Sequence, residues 1–132
     1  MATTQNLDAF VALVLLLNGV YDVLCALSIL YVPASPLARI HLHVFKHTHT
    51  PTANRVFAYW VLTYGLDRIM AGACSSPATD ATAVLSYLME SATYYNEASL
   101  KSVHAHKARF VYLVSLLLSG VVATRMVNGL HY

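Results

Sequence analysis

The residues of this chain that could do chemistry are charged and amide side chains that interrupt long apolar stretches. They are Asn18 and Asp22 in the first stretch, Asp67 and Arg68 in the second, Glu90 and Glu97 in the third, and Arg125 in the fourth. A charged side chain at the middle of a bilayer costs on the order of 3 kcal/mol, and such residues usually face the interior of a helix bundle. The pattern therefore predicts a polar interior between membrane helices.

The third stretch carries its polar residues on one helical face. Tyr87, Glu90, Tyr94 and Glu97 recur at helical spacing. Glu90 and Glu97 would lie about 10 Å apart along the axis at 1.5 Å per residue. This face should point inward or toward a partner, and together with Asp22 it could form a pocket for the head group of a lipid or sterol.

The same side chains also have a structural interpretation. Asp67 and Arg68 lie toward a helix end, where side chains can reach the membrane surface, and Asp22 and Glu97 could pair with an arginine or stay protonated against tyrosine hydroxyls. Paired polar groups between helices would fix the register of the bundle. The sequence leaves both interpretations open, and it does not show whether Asp67 and Arg68 pair within this chain or with another.

Histidines form a second group of candidate residues. Six of them fall in two basic segments, His41, His43, His47 and His49 in the first and His104 and His106 in the second. Neutral imidazoles can bind zinc, copper or iron, and the spacing of His43 and His47 would place two ligands on one face of a helix. A metal site is therefore a minority hypothesis beside contact with lipid head groups or partners.

The helices that carry these residues can be predicted from the composition of the chain. Apolar residues make up 58% of the 132 residues and charged residues only 11%, about half the charged share of a soluble domain. The apolar residues are concentrated in segments 7–31, 55–73, 81–100 and 110–128, and about 20 such residues cross the hydrocarbon core. The sequence predicts an all-α, polytopic membrane protein, a four-transmembrane-helix bundle forming a single domain over residues 1–132.

The basic residues outside the helices favour four crossings over three. Segments 32–54 and 101–109 are rich in Lys and Arg, whereas the N-terminal stretch and the linker 74–80 contain none. The positive-inside rule then places 32–54 and 101–109 on the cytoplasmic-equivalent side. The prolines fit, because Pro33 and Pro36 end the first helix, Pro51 precedes the second, and Pro77 lies between the second and third.

Several classes of function have no signature here. The net charge of +2 and the scattered basic residues do not make a nucleic-acid surface. There is no Gly-rich phosphate loop, no activated cysteine and no recognisable Ser-His arrangement. No cleavable signal is evident, and Cys25 and Cys74 are expected to be reduced thiols. We therefore expect a protein that is not an enzyme and has no cofactor other than a possible bound lipid or sterol.

The second apolar segment carries the motif Arg55-x-Phe57-x-x-Trp60-x-Leu62 followed by Arg68, with Asn18 in the first segment and Glu97 in the third. At these positions the chain resembles the ergosterol biosynthetic protein 28 family. Two positions depart from the family pattern, since Thr93 stands where the family has a histidine and Asn96 where it has a serine. The lysine-rich tail typical of the members of the endoplasmic reticulum is also missing.

The resemblance implies a noncatalytic scaffold with four spans that tethers the enzymes of sterol C-4 demethylation in the endoplasmic reticulum membrane. Partners would be other integral membrane proteins and membrane lipids. A structural subunit of a respiratory or photosynthetic complex in an organellar inner membrane is the alternative. The residues expected to contact partners or a ligand are Asn18, Asp22, Arg55, Trp60, Asp67, Arg68, Glu90, Tyr94 and Glu97.

Overall fold

The structure is a computed structural model that describes residues 2–46 and 50–129, with side chains from residue 5 onward. It contains five helices, which are α1 (Ala2–Tyr31), α2 (Pro36–Leu42), α3 (Pro51–Ala73), α4 (Pro77–Ser99) and α5 (Ala105–Gly129). Within the described residues the only strand-like pairing is an isolated antiparallel bridge between Phe45 and Val103. The prediction of an all-α fold is confirmed.

Three helices begin with the same local device, a hydroxyl residue followed by proline. The pairs are Ser35-Pro36 for α2, Thr50-Pro51 for α3 and Ser76-Pro77 for α4. Each hydroxyl accepts a hydrogen bond from the backbone N–H three residues later, at 3.2 Å in all three cases. Proline suits the first helical position because the N–H it lacks has no intrahelical partner there.

These caps correct the predicted boundaries. The sequence interpretation placed the starts of the second and third long helices at residues 55 and 81, but α3 begins at Pro51 and α4 at Pro77. Pro36 was expected to end the first helix, whereas it opens the short helix α2. The three errors have one cause, since Pro36, Pro51 and Pro77 were each placed outside a helix, although the capping hydroxyl directly before each proline makes it the first helical residue.

The four long helices run antiparallel to their chain neighbours and pack as two pairs, α1 with α3 and α4 with α5, joined through α3 and α4. The α1 and α3 backbones approach closely at Gly19 and Gly65. A Cβ added at Gly19 would lie 2.6 Å from the carbonyl oxygen of Gly65, and one at Gly65 would lie 2.9 Å from that of Gly19. Neither position can hold a larger residue without separating the helices.

The two basic loops lie in contact at one end of the bundle. His104 donates its backbone N–H to the carbonyl of Val44 at 2.8 Å, and Lys46 donates to the carbonyl of Ser102 at 3.0 Å. Beneath this bridge Val44, Val103 and Ala108 pack with Tyr94 in a small apolar cluster. The loops that follow α2 and α4 are therefore fixed to each other.

Two of the long helices are long and apolar enough to cross a membrane. They cover Gln5–Tyr31 of α1 and Ala105–Gly129 of α5. Most of their apolar side chains are not buried by the rest of the chain; Leu17 is 63% exposed and Leu117 is 67% exposed. Contiguous apolar surface of this kind is typical of contact with membrane or with another protein.

Candidate functional site

Arg68 of α3 lies at the centre of the bundle and is 1% exposed. Its Nη1 donates to Asp22 Oδ2 of α1 at 2.5 Å, and its Nη2 donates to Glu90 Oε2 of α4 at 2.6 Å. Its Nε donates to the hydroxyl of Ser86 at 3.2 Å. One guanidinium thus joins three helices. Arg68 lies toward the end of α3, as the sequence indicated, but its side chain is buried between the helices and does not reach the surface.

A second set of contacts surrounds this ion-pair cluster. The Arg68 guanidinium carbon lies 3.9 Å from the ring centroid of Tyr87, at a distance typical of a cation–π contact. The Tyr87 hydroxyl donates to Asn18 Oδ1 at 2.6 Å, and the Ser115 hydroxyl of α5 donates to Glu90 Oε2 at 3.0 Å. Every long helix therefore contributes a side chain to one hydrogen-bonded network.

A separate ion pair lies at the end of the bundle opposite the two basic loops. Arg125 of α5 is bound bidentately by the carboxylate of Asp80 of α4, and its Nη2 also donates to the carbonyl of Ala71 in α3 at 2.9 Å. Both charged side chains are 3% exposed. The sequence interpretation noted Arg125 but assigned Asp80 no role, because it placed Asp80 in the linker 74–80, outside the predicted third helix.

A cleft of about 610 Å3 opens between α1 and α5 beside the Arg68 network, with α4 behind it. Volumes of this size are typical of small-molecule sites. Tyr21 of α1 and Phe110 of α5 line the cleft and are 41% and 71% exposed. The cleft is therefore open at the surface of the bundle, and its apolar wall on α5 includes Val114 and Leu118.

Basic residues line the end of this cleft that is nearest the two basic loops. Arg39 and His43 come from the α2 region, and His106 and Lys107 come from the first turn of α5. Among the described residues, none of these four side chains has a carboxylate partner, and the Lys107 ammonium donates only to the carbonyl of His43, at 3.3 Å. We call these four residues the basic mouth.

His41 of α2 also lines the cleft, and its ring lies 5.5 Å from that of Tyr21. Its Nδ1 is buried and has no hydrogen-bond partner among the residues with described side chains. Burial lowers the pKa of His41 below its usual value, and the nearby Glu90 carboxylate partly opposes that effect. The imidazole is therefore kept neutral under conditions in which an exposed histidine would begin to ionise.

The structure brings together part of the set of residues expected to contact a ligand or partner. Asn18, Asp22, Glu90 and Tyr94 line the cleft, and Arg68 lies directly behind Asp22 and Glu90. Trp60 lies on α3 between the rings of Phe57 and Tyr64, at centroid distances of 5.8 and 4.9 Å, and does not line the cleft.

Three further residues of that set lie elsewhere. Glu97 accepts a hydrogen bond from the Ser102 hydroxyl and holds the loop after α4. Of the two carboxylates for which an arginine partner was considered, Asp22 has one in the described part of the chain and Glu97 does not. Arg55 is exposed and donates to the Thr52 hydroxyl at 3.3 Å. Asp67 is half-buried on α3 and makes no hydrogen bond or ion pair with any residue that the structure describes.

The structure describes four of the six histidines proposed as metal ligands. Helix α2 ends at Leu42, and His43 is the residue that caps it. His47 and His49 lie outside the described residues, and the rings of His104 and His106 are 6.1 Å apart. Across residues 2–46 and 50–129 there is no group of three or more His, Cys, Asp or Glu side chains that could hold a metal ion.

The fold and site define an all-helical protein with two helices suited to crossing a membrane, a charged network between its helices and a lateral cleft. Comparison with known proteins finds no matching family model, no similar curated protein and no similar solved structure.

Proposed function

We propose that this chain is a four-span integral membrane protein that serves as a noncatalytic scaffold or accessory subunit and contacts its partners through α3. The observation that carries the proposal is the unpaired carboxylate of Asp67. Asp22, Asp80, Glu90 and Glu97 are each bonded to an arginine or a serine inside the chain. Of the acidic residues from Asp22 onward, Asp67 is the one that has neither an arginine nor a serine partner in the described part of the chain.

Four spans are supported by the outer surface of α3 and α4. Each helix has 23 residues, which corresponds to about 34 Å at 1.5 Å per residue and exceeds a hydrocarbon core of about 30 Å. Both present large apolar side chains outward, for example Val56 and Met70 on α3 and Leu85 on α4. With the central charges paired internally, these faces suit lipid or partner helices.

Polar side chains on the outer face of α3 recur every four residues. They are Arg55, Tyr59, Thr63 and Asp67, and we call them the α3 ridge. Rows of residues at this spacing form the ridges by which helices interlock. Asp67 lies six residues, or about 9 Å, before the end of α3. A carboxylate at that depth is stabilised by a donor on an adjacent helix.

The occupant that fits the α3 ridge is a transmembrane helix of a different protein, with a basic or hydrogen-bond-donating side chain at the depth of Asp67. A second copy of the chain fits poorly. Symmetric dimers in a membrane bring residues of equal depth together, which would place Asp67 beside Asp67 and Arg55 beside Arg55. Like charges at close range in a low dielectric repel strongly.

The resemblance of α3 to the sterol-biosynthesis scaffold supports the enzymes of sterol C-4 demethylation in the endoplasmic reticulum as the partners. An energy-transducing complex of an organellar inner membrane is the alternative assembly. In both cases the contribution of this chain is to hold partner helices.

The test is site-specific photo-crosslinking from the α3 ridge in membranes. A photoreactive residue at Thr63 should cross-link to a defined membrane protein, whereas the same group at Leu117, which is exposed on α5, should not. Asp67→Asn should weaken copurification of that protein. Asp8→Asn removes an exposed carboxylate from α1 and should leave copurification unchanged. Replacing the partner's donor by Asp should be rescued by Asp67→Lys.

The identity of the cross-linked protein decides between the assemblies. Sterol C-4 demethylation enzymes would support the function implied by the resemblance, and a respiratory or photosynthetic subunit would support the alternative. A stable monomer without cross-links, or cross-links only to a second copy of the chain, would contradict the proposal.

A further inference from the structure

The lateral cleft between α1 and α5 has two chemically distinct parts that together describe one kind of ligand. Its inner end reaches Leu118, thirteen residues into α5 and about 20 Å from the start of that helix. One leaflet of a bilayer contributes about 15 Å of hydrocarbon. The cleft is thus deep enough to hold a chain that extends through one leaflet.

The walls of the deep part offer few groups to a polar ligand. The carboxylates of Asp22 and Glu90 are bound by Arg68, and the Asn18 carbonyl oxygen is bound by Tyr87. The α5 side is formed by apolar side chains, among them Val114 and Leu118. An occupant of this part is therefore selected by apolar contact.

The basic mouth has the opposite character. Arg39 and Lys107 line the cleft without a carboxylate partner among the described residues, beside His43 and His106. The charge distribution of the chain adds to this. Arg68 and Arg125 form buried ion pairs. The other six of the eight Lys and Arg residues all lie in the segments at this end of the bundle. A ligand that ends here gains from carrying negative charge.

A third observation is the buried Nδ1 of His41, which lines the cleft and has no hydrogen-bond partner among the side chains that the structure describes. Buried polar nitrogens are nearly always bonded, so an isolated one beside a cavity indicates a missing partner. Because that atom is itself shielded from solvent, a head group in the basic mouth supplies the partner when the His41 ring turns toward it.

From this juxtaposition of a leaflet-deep apolar cleft with an unpaired basic mouth, we infer that the chain binds one anionic phospholipid between α1 and α5. Its phosphate lies among Arg39, His43, His106 and Lys107, and an acyl chain lies against α5. The lipid enters sideways from the leaflet at the basic end. This site is on the opposite side of α1 and α4 from the α3 ridge and does not depend on the proposed partner.

Native mass spectrometry of the full chain in mild detergent tests the inference. The probes are phosphatidic acid and phosphatidylcholine with identical acyl chains. We expect the protein to retain one phosphatidic acid molecule in preference to phosphatidylcholine. Arg39→Gln combined with Lys107→Gln should reduce that retention by about 30-fold, as expected for losing two cations that contact lipid at the membrane surface.

The control variant combines Arg109→Gln with Lys46→Gln. It removes one Arg and one Lys from the same end of the bundle, both exposed and neither lining the cleft. Retention should be nearly unchanged in this variant. An equal loss in both double variants would show a general effect of surface charge and would overturn the site.

The apolar part is tested with two substitutions on α5. Val114→Trp fills the cleft and should lower retention of both lipids, whereas Leu113→Trp, which points a similar side chain out of the bundle at a 52% exposed position, should not. Inorganic phosphate, used as a probe, tests whether the site binds free phosphate or the head group of a lipid. Saturable binding of free phosphate with no lipid preference, or equal retention of both lipids, would contradict the inference.

Discussion

Arg68 Nη1 and Asp22 Oδ2 lie 2.5 Å apart, and this contact ties α3 to α1 at the centre of the bundle. The second nitrogen of the same guanidinium holds Glu90 of α4. Removing one member of a buried ion pair leaves an uncompensated charge and typically costs about 3 to 5 kcal/mol. Arg68→Met should therefore lower the free energy of unfolding substantially.

Thermal unfolding in detergent measures this effect. Combining Arg68→Met with Asp22→Leu and Glu90→Leu should restore much of the lost stability, because no buried charge is then left without a partner. Arg109→Met removes an exposed arginine without an ion pair and should change stability by less than about 0.5 kcal/mol. Equal effects of Arg68→Met and Arg109→Met would contradict a structural role for the network.

Replacing glycine by alanine should have opposite effects on stability at two positions, one in the contact between α1 and α3 and one outside it. A Cβ at Gly19 would lie 2.6 Å from the Gly65 carbonyl oxygen, whereas a Cβ at Gly120 would meet nothing within 4 Å. Gly19→Ala should cost about 1 to 3 kcal/mol through overpacking. Gly120→Ala should stabilise α5 by up to about 1 kcal/mol. Unfolding midpoints of the two variants, measured side by side, check the prediction.

The proposed four-span arrangement predicts which side of the membrane each loop occupies. Cys74 is exposed at the end of α3 and Cys25 is buried. In a Cys25→Ala background, a membrane-impermeant maleimide should reach Cys74 from one side only. A cysteine at Ala105, introduced in place of the native thiols, should be reached only from the other side. Because only α4 lies between these two positions, labelling of both from the same side would mean that α4 does not cross.

His41 should make stability depend on pH. Because burial lowers its pKa in the folded state, the unfolded chain binds the proton first as the pH falls. Stability is full above the unfolded pKa near 6.5 and decreases as the pH drops below it. Its surroundings include Glu90, which is held by Arg68, and the ring of Tyr21.

Unfolding measured between about pH 7.5 and 5.5 should show this loss in the native chain. His41→Gln removes the titrating group and should flatten the profile over that interval. A His104→Gln variant is the control, since His104 is exposed in the loop before α5. An unchanged slope in His41→Gln would assign the pH dependence to another group.

The long helices could be predicted from sequence because apolar runs dominate their composition, and their polar residues stood out against that background. The pairing of those residues could not. Arg68 meets Asp22 and Glu90 because α3 lies between α1 and α4, and helix adjacency is a tertiary property that hydropathy does not encode. The expectation that the Arg68 side chain reaches the membrane surface was wrong, because two carboxylates of neighbouring helices pair with it and compensate for its burial.

Two other features had signals that the sequence interpretation did not use. Each Ser-Pro or Thr-Pro pair marked a helix start through the hydroxyl before the proline. Gly65 and Gly72 are seven residues apart on one face of α3, which is the pattern of a close helix contact. The basic mouth had no local signal, since residues 32–46 and the start of α5 come together through tertiary contacts, among them the bridge from Phe45 to Val103 and the hydrogen bond from Lys107 to the carbonyl of His43.

The ion pair of Arg125 with Asp80 has a consequence for biosynthesis. In the proposed four-span arrangement, α4 enters the membrane before α5, so Asp80 stays unpaired until Arg125 emerges 45 residues later. Arg68, by contrast, finds Asp22 already in place when α3 is made and waits only for Glu90. In that arrangement α1 and α3 can assemble during synthesis, whereas the pair of α4 and α5 is completed only after α5 has been inserted.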